Sequence, residues 1–176
     1  MSDVGIAVGE TVPDVQQSLV QPDGETETAS LSELVEEQPV LLNFYTVDFS
    51  PDCISEWCEF RDFDWFASGD AVQVVGASKS GERLHRKFIS QFDLGFPLFA
   101  DTTLELADAF GVRYKAFGLS HRAHRSCFLV DEEMTVRYKW IGEHWMDPTR
   151  DTPPVSEIHE AIVDELNIDQ TETFGF

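Results

Sequence analysis

The stretch from residue 40 to residue 69 constrains this chain most. Residues 40–45 (Val-Leu-Leu-Asn-Phe-Tyr) form a nearly unbroken apolar run, the pattern of a strand buried on both faces. Ser50-Pro51 then marks a helix start, because the first helical turn has no use for the N–H that proline lacks. This helix is expected to run to about Ser68 and to stop at Gly69. Cys53 falls in its first turn. A thiol there feels the positive end of the helix dipole and lies near unpaired backbone N–H groups. Both favour the thiolate, which is the nucleophilic form. The alternative is that Cys53 is a small apolar residue in the core.

Strands and helices alternate along the rest of the chain. A strand at 15–20, the turn Gln21-Pro22-Asp23-Gly24 and a returning strand at 25–29 predict an N-terminal β-hairpin. Ser30 reads as an N-cap with Glu33 at the third helical position. Short strands are expected at 72–77 and 98–100. An amphipathic helix is expected at 81–91, with Leu84, Phe88 and Phe92 spaced by four, and a further helix at 104–110 closed by Gly111. Residues 127–130 and 135–141 read as a closing hairpin, 153–166 as the last helix and 167–176 as a loose tail. The order implies an α/β fold, a central mixed sheet flanked by helices, in one domain over residues 1–166.

Asp and Glu number 33 against 12 Lys and Arg, for a formal charge of −21. Such a surface repels nucleic acid and anionic lipid, both of which need cationic contacts. It does not repel a small neutral substrate. The acids are dispersed and lysine is scarce (Lys79, Lys87, Lys115 and Lys139), a pattern that resembles proteins of salt-loving archaea. No apolar run reaches the roughly 18 residues of a membrane span, and the N-terminus lacks a signal-peptide pattern. A cytoplasmic protein with no membrane partner is expected.

Cys53, Cys58 and Cys127 are the only cysteines. An odd number without a signal peptide argues for free thiols rather than a disulfide framework. On an intact helix the Cα atoms of Cys53 and Cys58 lie about 8.5 Å apart, beyond the ~7 Å limit for a disulfide. Joining them would require the first turns of the helix to unwind. Cys58 alternatively packs against the sheet, and Cys127, on an apolar strand, reads as a packing residue. His121-Arg122-Ala123-His124-Arg125 is the basic cluster of the chain and reads as a loop rimming a site. It lacks the ligand spacing of a metal centre. His85, His144 and His159 read as isolated, solvent-facing side chains, and Trp57 and Trp65 as packing residues. Neither nucleotide-binding nor serine-hydrolase motifs are present.

The run from Phe44 to Asp62 resembles the active-site segment of the peroxiredoxins, the AhpC/TSA superfamily, in particular the bacterioferritin comigratory protein or Q-type subgroup. That family carries Pro-x-x-x-Thr/Ser-x-x-Cys with a second cysteine five residues on. Ser50, Cys53 and Cys58 match it, and Glu59-Phe60-Arg61-Asp62 matches the run that follows. Val12-Pro13-Asp14, Pro22-Asp23-Gly24-Glu25, Phe96-Pro97-Leu98-Phe99-Ala100-Asp101, Ala109-Phe110-Gly111-Val112 and the stretch 125–131 resemble its other landmarks in order. Thr46 stands where the family has the proline that shields the reactive cysteine.

The resemblance implies a thioredoxin-like fold and a thiol peroxidase acting on hydrogen peroxide or organic hydroperoxides. Cys53 would attack the peroxide and become a sulfenic acid, and Cys58 would condense with it to a disulfide. Arg125 would lower the Cys53 pKa and contact the peroxide, and Ser50 would hydrogen-bond the sulfur or the peroxide. A thioredoxin-type dithiol would be the reductant, no metal or organic cofactor is implied, and the protein would be a monomer or homodimer. The alternative is a thioredoxin-fold redox sensor or interaction module with weak peroxidase activity, marked by Thr46. A thiol–disulfide oxidoreductase is disfavoured by the absence of Cys-x-x-Cys.

Overall fold

Burial alternates between two faces along one central strand, and this sets the layers of the molecule. The computed structural model describes residues 4–116, 120–142 and 153–166. Its elements in chain order are β1 (Gln16–Val20), β2 (Thr26–Ser30), α1 (Leu31–Val35), β3 (Val40–Phe44), α2 (Pro51–Asp62), α3 (Asp64–Ser68), β4 (Gln73–Ser78) and α4 (Glu82–Phe92). They continue with β5 (Leu98–Ala100), α5 (Glu105–Ala109), β6 (Arg113–Ala116), β7 (Ser120–Ala123), β8 (Ser126–Val130), β9 (Val136–Ile141) and α6 (Val155–Leu166). All five residues of β3 are buried, as a strand with both faces covered requires.

Seven strands form one sheet in the order β2-β1-β5-β4-β3-β8-β9. β3 pairs parallel with β4, and β4 with β5. β8 runs antiparallel to β3, so the sheet is mixed. Val40, Leu42 and Phe44 point to one face, where α1 and α5 contribute Leu31, Val35, Leu106 and Ala107. Leu41 and Tyr45 point to the other, beneath Cys53, Trp57 and Phe60 of α2, Phe88 of α4 and Ile158 of α6. The result is a sheet between two helical layers, with α2 on the central strands. Among the described residues no helix is long and apolar enough to cross a membrane.

The local signals hold in detail. Ser30 caps α1, accepting from the Glu33 amide at 3.4 Å and donating to the Glu33 carboxylate at 3.0 Å. β1 and β2 pair as the expected hairpin, with Gln16 opposite Ser30, and β8 and β9 form the closing hairpin. Two features differ from expectation. The helix expected from Pro51 to Ser68 breaks at Phe63, whose backbone leaves the helical region (φ −93°, ψ 103°). The break lets Phe63 and Trp65 both reach His159 of α6, at ring separations of 5.2 and 4.6 Å, which one straight helix could not do. The basic stretch expected to be a loop forms part of a separate hairpin, β6–β7, with Lys115 opposite His121. Residues 167–176, expected to be a tail, lie outside the described residues, as does His144.

At Gly76 of β4 the Trp57 ring of α2 packs directly on the strand backbone. A Cβ there would meet the Trp57 ring and lie 2.6 Å from Leu98 Cδ2. Trp57 therefore lies over a strand that has no side chain at that position. Gly76→Ala is expected to destabilise the fold by about 1–3 kcal/mol through overpacking, measured by denaturant unfolding. Wild-type stability in that variant would mean that Trp57 is not held in its slot.

Candidate active site

The end of β3, a short loop and the first turn of α2 bring the reactive groups together. Ser50, extended at φ −72° and ψ 145°, is the N-cap, and its Oγ accepts from the Cys53 amide at 3.4 Å. Pro51 begins the helix, as its sequence position predicts. A cap of this kind contributes roughly 1 kcal/mol and orients the first turn. Cys53 Sγ is fully buried. Arg125, in the link between β7 and β8, donates from Nη2 to this sulfur at 3.2 Å and from Nη1 to Glu56 Oε2 at 2.8 Å. The Arg125 backbone is held in turn, its carbonyl accepting from the Gly142 amide at 2.8 Å. Two residues 72 positions apart in the chain thus meet.

The guanidinium is the donor within hydrogen-bond reach of the sulfur among the described residues, and the Ser50 side chain and the Val47 backbone act with it to favour the anion. Even so, the thiol is pushed above its ordinary value. Burial is the largest cause, Arg125 opposes it, and the Glu56 charge adds to it. The helix terminus and Arg125, which the sequence suggested would win, are outweighed because the closed site takes the sulfur wholly out of water.

Glu56 was not singled out from the sequence. It lies three positions after Cys53, on the face of α2 that buries Cys53, Trp57 and Phe60. An acid at a buried helical position is the signal that would have found it. Burial, only partly offset by Arg125, pushes its carboxyl up to about 7. The folded state holds that proton more tightly than the unfolded chain. The stability Glu56 contributes is therefore full below its ordinary value of 4.5 and is lost as the pH rises to about 7.

His85 corrects the sequence reading. It is fully buried rather than solvent-facing. Its Nδ1 lies 2.7 Å from Asp48 Oδ2 and its Nε2 lies 2.9 Å from the Phe99 carbonyl oxygen. Tyr45 donates its hydroxyl to Asp48 Oδ1 at 2.5 Å, and the Asp48 amide donates to Ser80 Oγ at 3.0 Å. Burial, with the Asp48 charge beside it, holds the Tyr45 hydroxyl well above its ordinary pKa, so it stays a donor. Neither Asp48 nor Tyr45 stood out in the sequence, where nothing local pairs them with a histidine some 40 positions on. The next residue, Phe49, adopts φ +69°, a left-handed conformation costing about 1 kcal/mol or more, and packs on Phe88 and Phe92. Thr46 lies at the start of the same loop, and its Oγ1 is buried without a hydrogen-bond partner.

The other candidates separate from this cluster. Cys58 is half-buried on the same unbroken helix, a free thiol like Cys53 and Cys127. It lines an open groove of about 570 Å³ with Glu59, Asp62, Phe63 and Val155. Cys127 is buried and donates to Asn43 Oδ1 at 2.6 Å, a packing role. His124 stacks on Tyr114 at 4.4 Å, and burial lowers its pKa. His159 is half-buried against Trp65 rather than solvent-facing.

A model of the AhpC/TSA family matches residues 8–139. The chain is 36% identical over 139 residues to Peroxiredoxin Bcp of Bacillus subtilis, a match spanning 77% of this chain and 85% of that protein. It is 32% identical over 140 residues to Putative peroxiredoxin bcp of Coxiella burnetii, spanning 78% and 89%. Among solved structures, the crystal structure of Peroxidoxin BcpB from Mycobacterium tuberculosis superposes with a TM-score of 0.73 at 28% identity, covering 93% of this chain and 99% of that one.

Glu56→Gln removes a charge that pushes the Cys53 thiol up while keeping an acceptor for Arg125. The midpoint of Cys53 alkylation against pH is expected to move to lower pH, and the loss of stability between about pH 4.5 and 7 to flatten. An unchanged alkylation profile would mean that Glu56 and the thiol are not electrostatically linked.

Proposed function

This chain belongs to the AhpC/TSA family as a Bcp-type peroxiredoxin, a thiol-dependent peroxidase, and from that premise we propose that Cys53 is its attacking thiol, Cys58 its resolving thiol and a thioredoxin-type dithiol protein its reductant. The observation that carries the reading is the Arg125 guanidinium 3.2 Å from a buried sulfur at the Ser50-capped first turn of α2. Hydrogen peroxide and organic hydroperoxides are the proposed substrates.

The Cys53 thiolate attacks one peroxide oxygen in line with the O–O bond. The S–O bond forms as the O–O bond breaks, and the departing oxygen leaves as water or alcohol after taking a proton. Arg125 and Ser50 stabilise the charge that moves onto that oxygen. Thr46, with its buried and unpartnered hydroxyl in the same loop, is the further site residue, standing where the family's motif has the proline that shields the reactive cysteine. Cys53 is left as a sulfenic acid. Cys58 then attacks the Cys53 sulfur, the S–O bond breaks, water leaves, and a disulfide forms. With α2 continuous from Pro51 to Asp62, this second step needs the helix to open locally. The dithiol reductant restores both thiols and becomes a disulfide itself. A cycle that returns to free thiols suits a reducing compartment, the cytoplasm.

The raised Cys53 thiol favours a second reading, a slow redox sensor on the same residues. Peroxide consumption by the reduced protein with dithiothreitol separates the two. Rapid consumption in wild type, lost in Cys53→Ser, is expected. Cys58→Ser should keep the first turnover and abolish the mass loss of two hydrogens that marks the disulfide. A wild-type rate no faster than that of a free thiol would favour the sensor instead.

A further inference from the structure

The loop between β3 and α2 ends at Ser50, whose Oγ accepts from the Cys53 amide at 3.4 Å and so caps the turn that carries the sulfur, and its Val47 backbone and Ser50 side chain both favour the Cys53 anion. The residue between them that is tied down on every side is Asp48. Its amide is bound to Ser80 on the β4–α4 link. One of its carboxylate oxygens accepts from Tyr45, the residue after β3, and the other faces His85 of α4. His85 is anchored in turn to the backbone of β5 at Phe99. Tyr45 and His85 therefore hold the Asp48 carboxylate and Ser80 its amide, one residue from Val47 and two from Ser50. The loop needs such an anchor. Threonine at position 46 leaves the backbone free where the family's motif has a proline of fixed φ, and Phe49 is held in a left-handed conformation.

The protonation of the pair follows from its acceptors. The Phe99 carbonyl can only accept, so His85 Nε2 carries a hydrogen. A second proton lies between Nδ1 and Asp48 Oδ2 at 2.7 Å. Whether it sits on nitrogen or on oxygen, the pair has no net charge.

We propose that the buried Asp48–His85 pair, held by Tyr45 and Ser80, is the positioning element of this site: it fixes the loop that carries Val47 and ends in the Ser50 cap of the Cys53 turn. The proposal rests on the reading of Cys53 as the attacking thiol. Asp48 and His85 touch neither sulfur nor peroxide and act through the loop.

The test uses the full chain as wild type, Cys53→Ser, His85→Leu, His85→Gln and Ser80→Ala. Three quantities are measured: the rate constant for hydrogen peroxide, the pH profile of Cys53 alkylation by iodoacetamide read by mass spectrometry, and the melting temperature. Arg125 and Glu56 are the charged groups acting on Cys53, Cys53 in turn acts on Tyr45, and every variant leaves these three partners in place. Tyr45 is likewise the titratable group bonded to the Asp48–His85 pair.

His85→Leu cannot share the proton or bind Phe99. It should slow the peroxide reaction about tenfold or more, since a displacement of about 1 Å can cost 10²-fold, and move the alkylation profile to higher pH. His85→Gln retains a donor and should recover part of both. Ser80→Ala, which removes one hydrogen bond from the loop, should give a smaller loss of the same kind. Folded His85→Leu and Ser80→Ala proteins with lower melting temperatures but wild-type rates and alkylation profiles would overturn the proposal. If His85→Leu does not fold, Ser80→Ala decides by the same criterion. If wild type consumes no peroxide through Cys53, the peroxidase reading fails, and the alkylation profiles still judge the positioning role.

Discussion

One guanidinium joins the two halves of the site. Arg125 is 1% exposed and is shared between a sulfur on the first turn of α2 and a carboxylate one turn later. Its backbone belongs to the sheet side of the molecule, between β7 and β8, and its side chain reaches a helix of the layer above. A buried cation in this position is tolerable only with paired anionic or strongly accepting partners. Glu56 supplies that compensation when it is ionised, which burial defers to about pH 7, and Cys53 supplies it when ionised. The two anions therefore compete for one cation, and the proton on Glu56 sets how much of the Arg125 charge the sulfur feels.

That competition accounts for the placement of the remaining donors. Burial makes every charge expensive, so no single partner suffices for the thiolate. The Ser50 hydroxyl and the Val47 amide add dipoles that cost no further charge. Both lie on a loop whose geometry is over-determined by Asp48, by the helix cap and by the aromatic packing of Phe49. Rigidity of the loop and polarity of the site are thus the same requirement seen from two sides, because a dipole stabilises an anion only if it is already aimed.

Local and periodic signals in the chain were readable before any coordinates. The apolar run of β3, the Ser30–Glu33 cap, the Pro-Asp-Gly turn and the Ser50-Pro51 helix start act over a few residues, and each appears where its chemistry puts it. Cys53 and Ser50, singled out by a spaced motif, and Arg125, singled out by resemblance, lie together in the structure. Long-range partnerships were not readable. Glu56 looks like any surface acid until α2 is rotated against the sheet. His85 looks like a polar position on an amphipathic helix until Asp48 is brought to it. The break at Phe63 has no proline or glycine to announce it, since it arises from the competition of several aromatic rings for α6. The β6–β7 hairpin carries charged residues on short strands, with too little apolar alternation to reveal strand pairing.

The same break divides the helical layer into separate cooperative units. A helix melts as far as its hydrogen-bond ladder is continuous, and here the ladder of α2 stops at Phe63. Fraying that begins at this end reaches Cys58 long before Cys53 and leaves the Ser50 cap untouched. α3, with its own left-handed cap at Gly69, is insulated from it. The chain therefore has a mechanical asymmetry, with one thiol near a loose end and the other at a pinned one. Motion of the first toward the second can be confined to a dozen residues without loosening the layer as a whole.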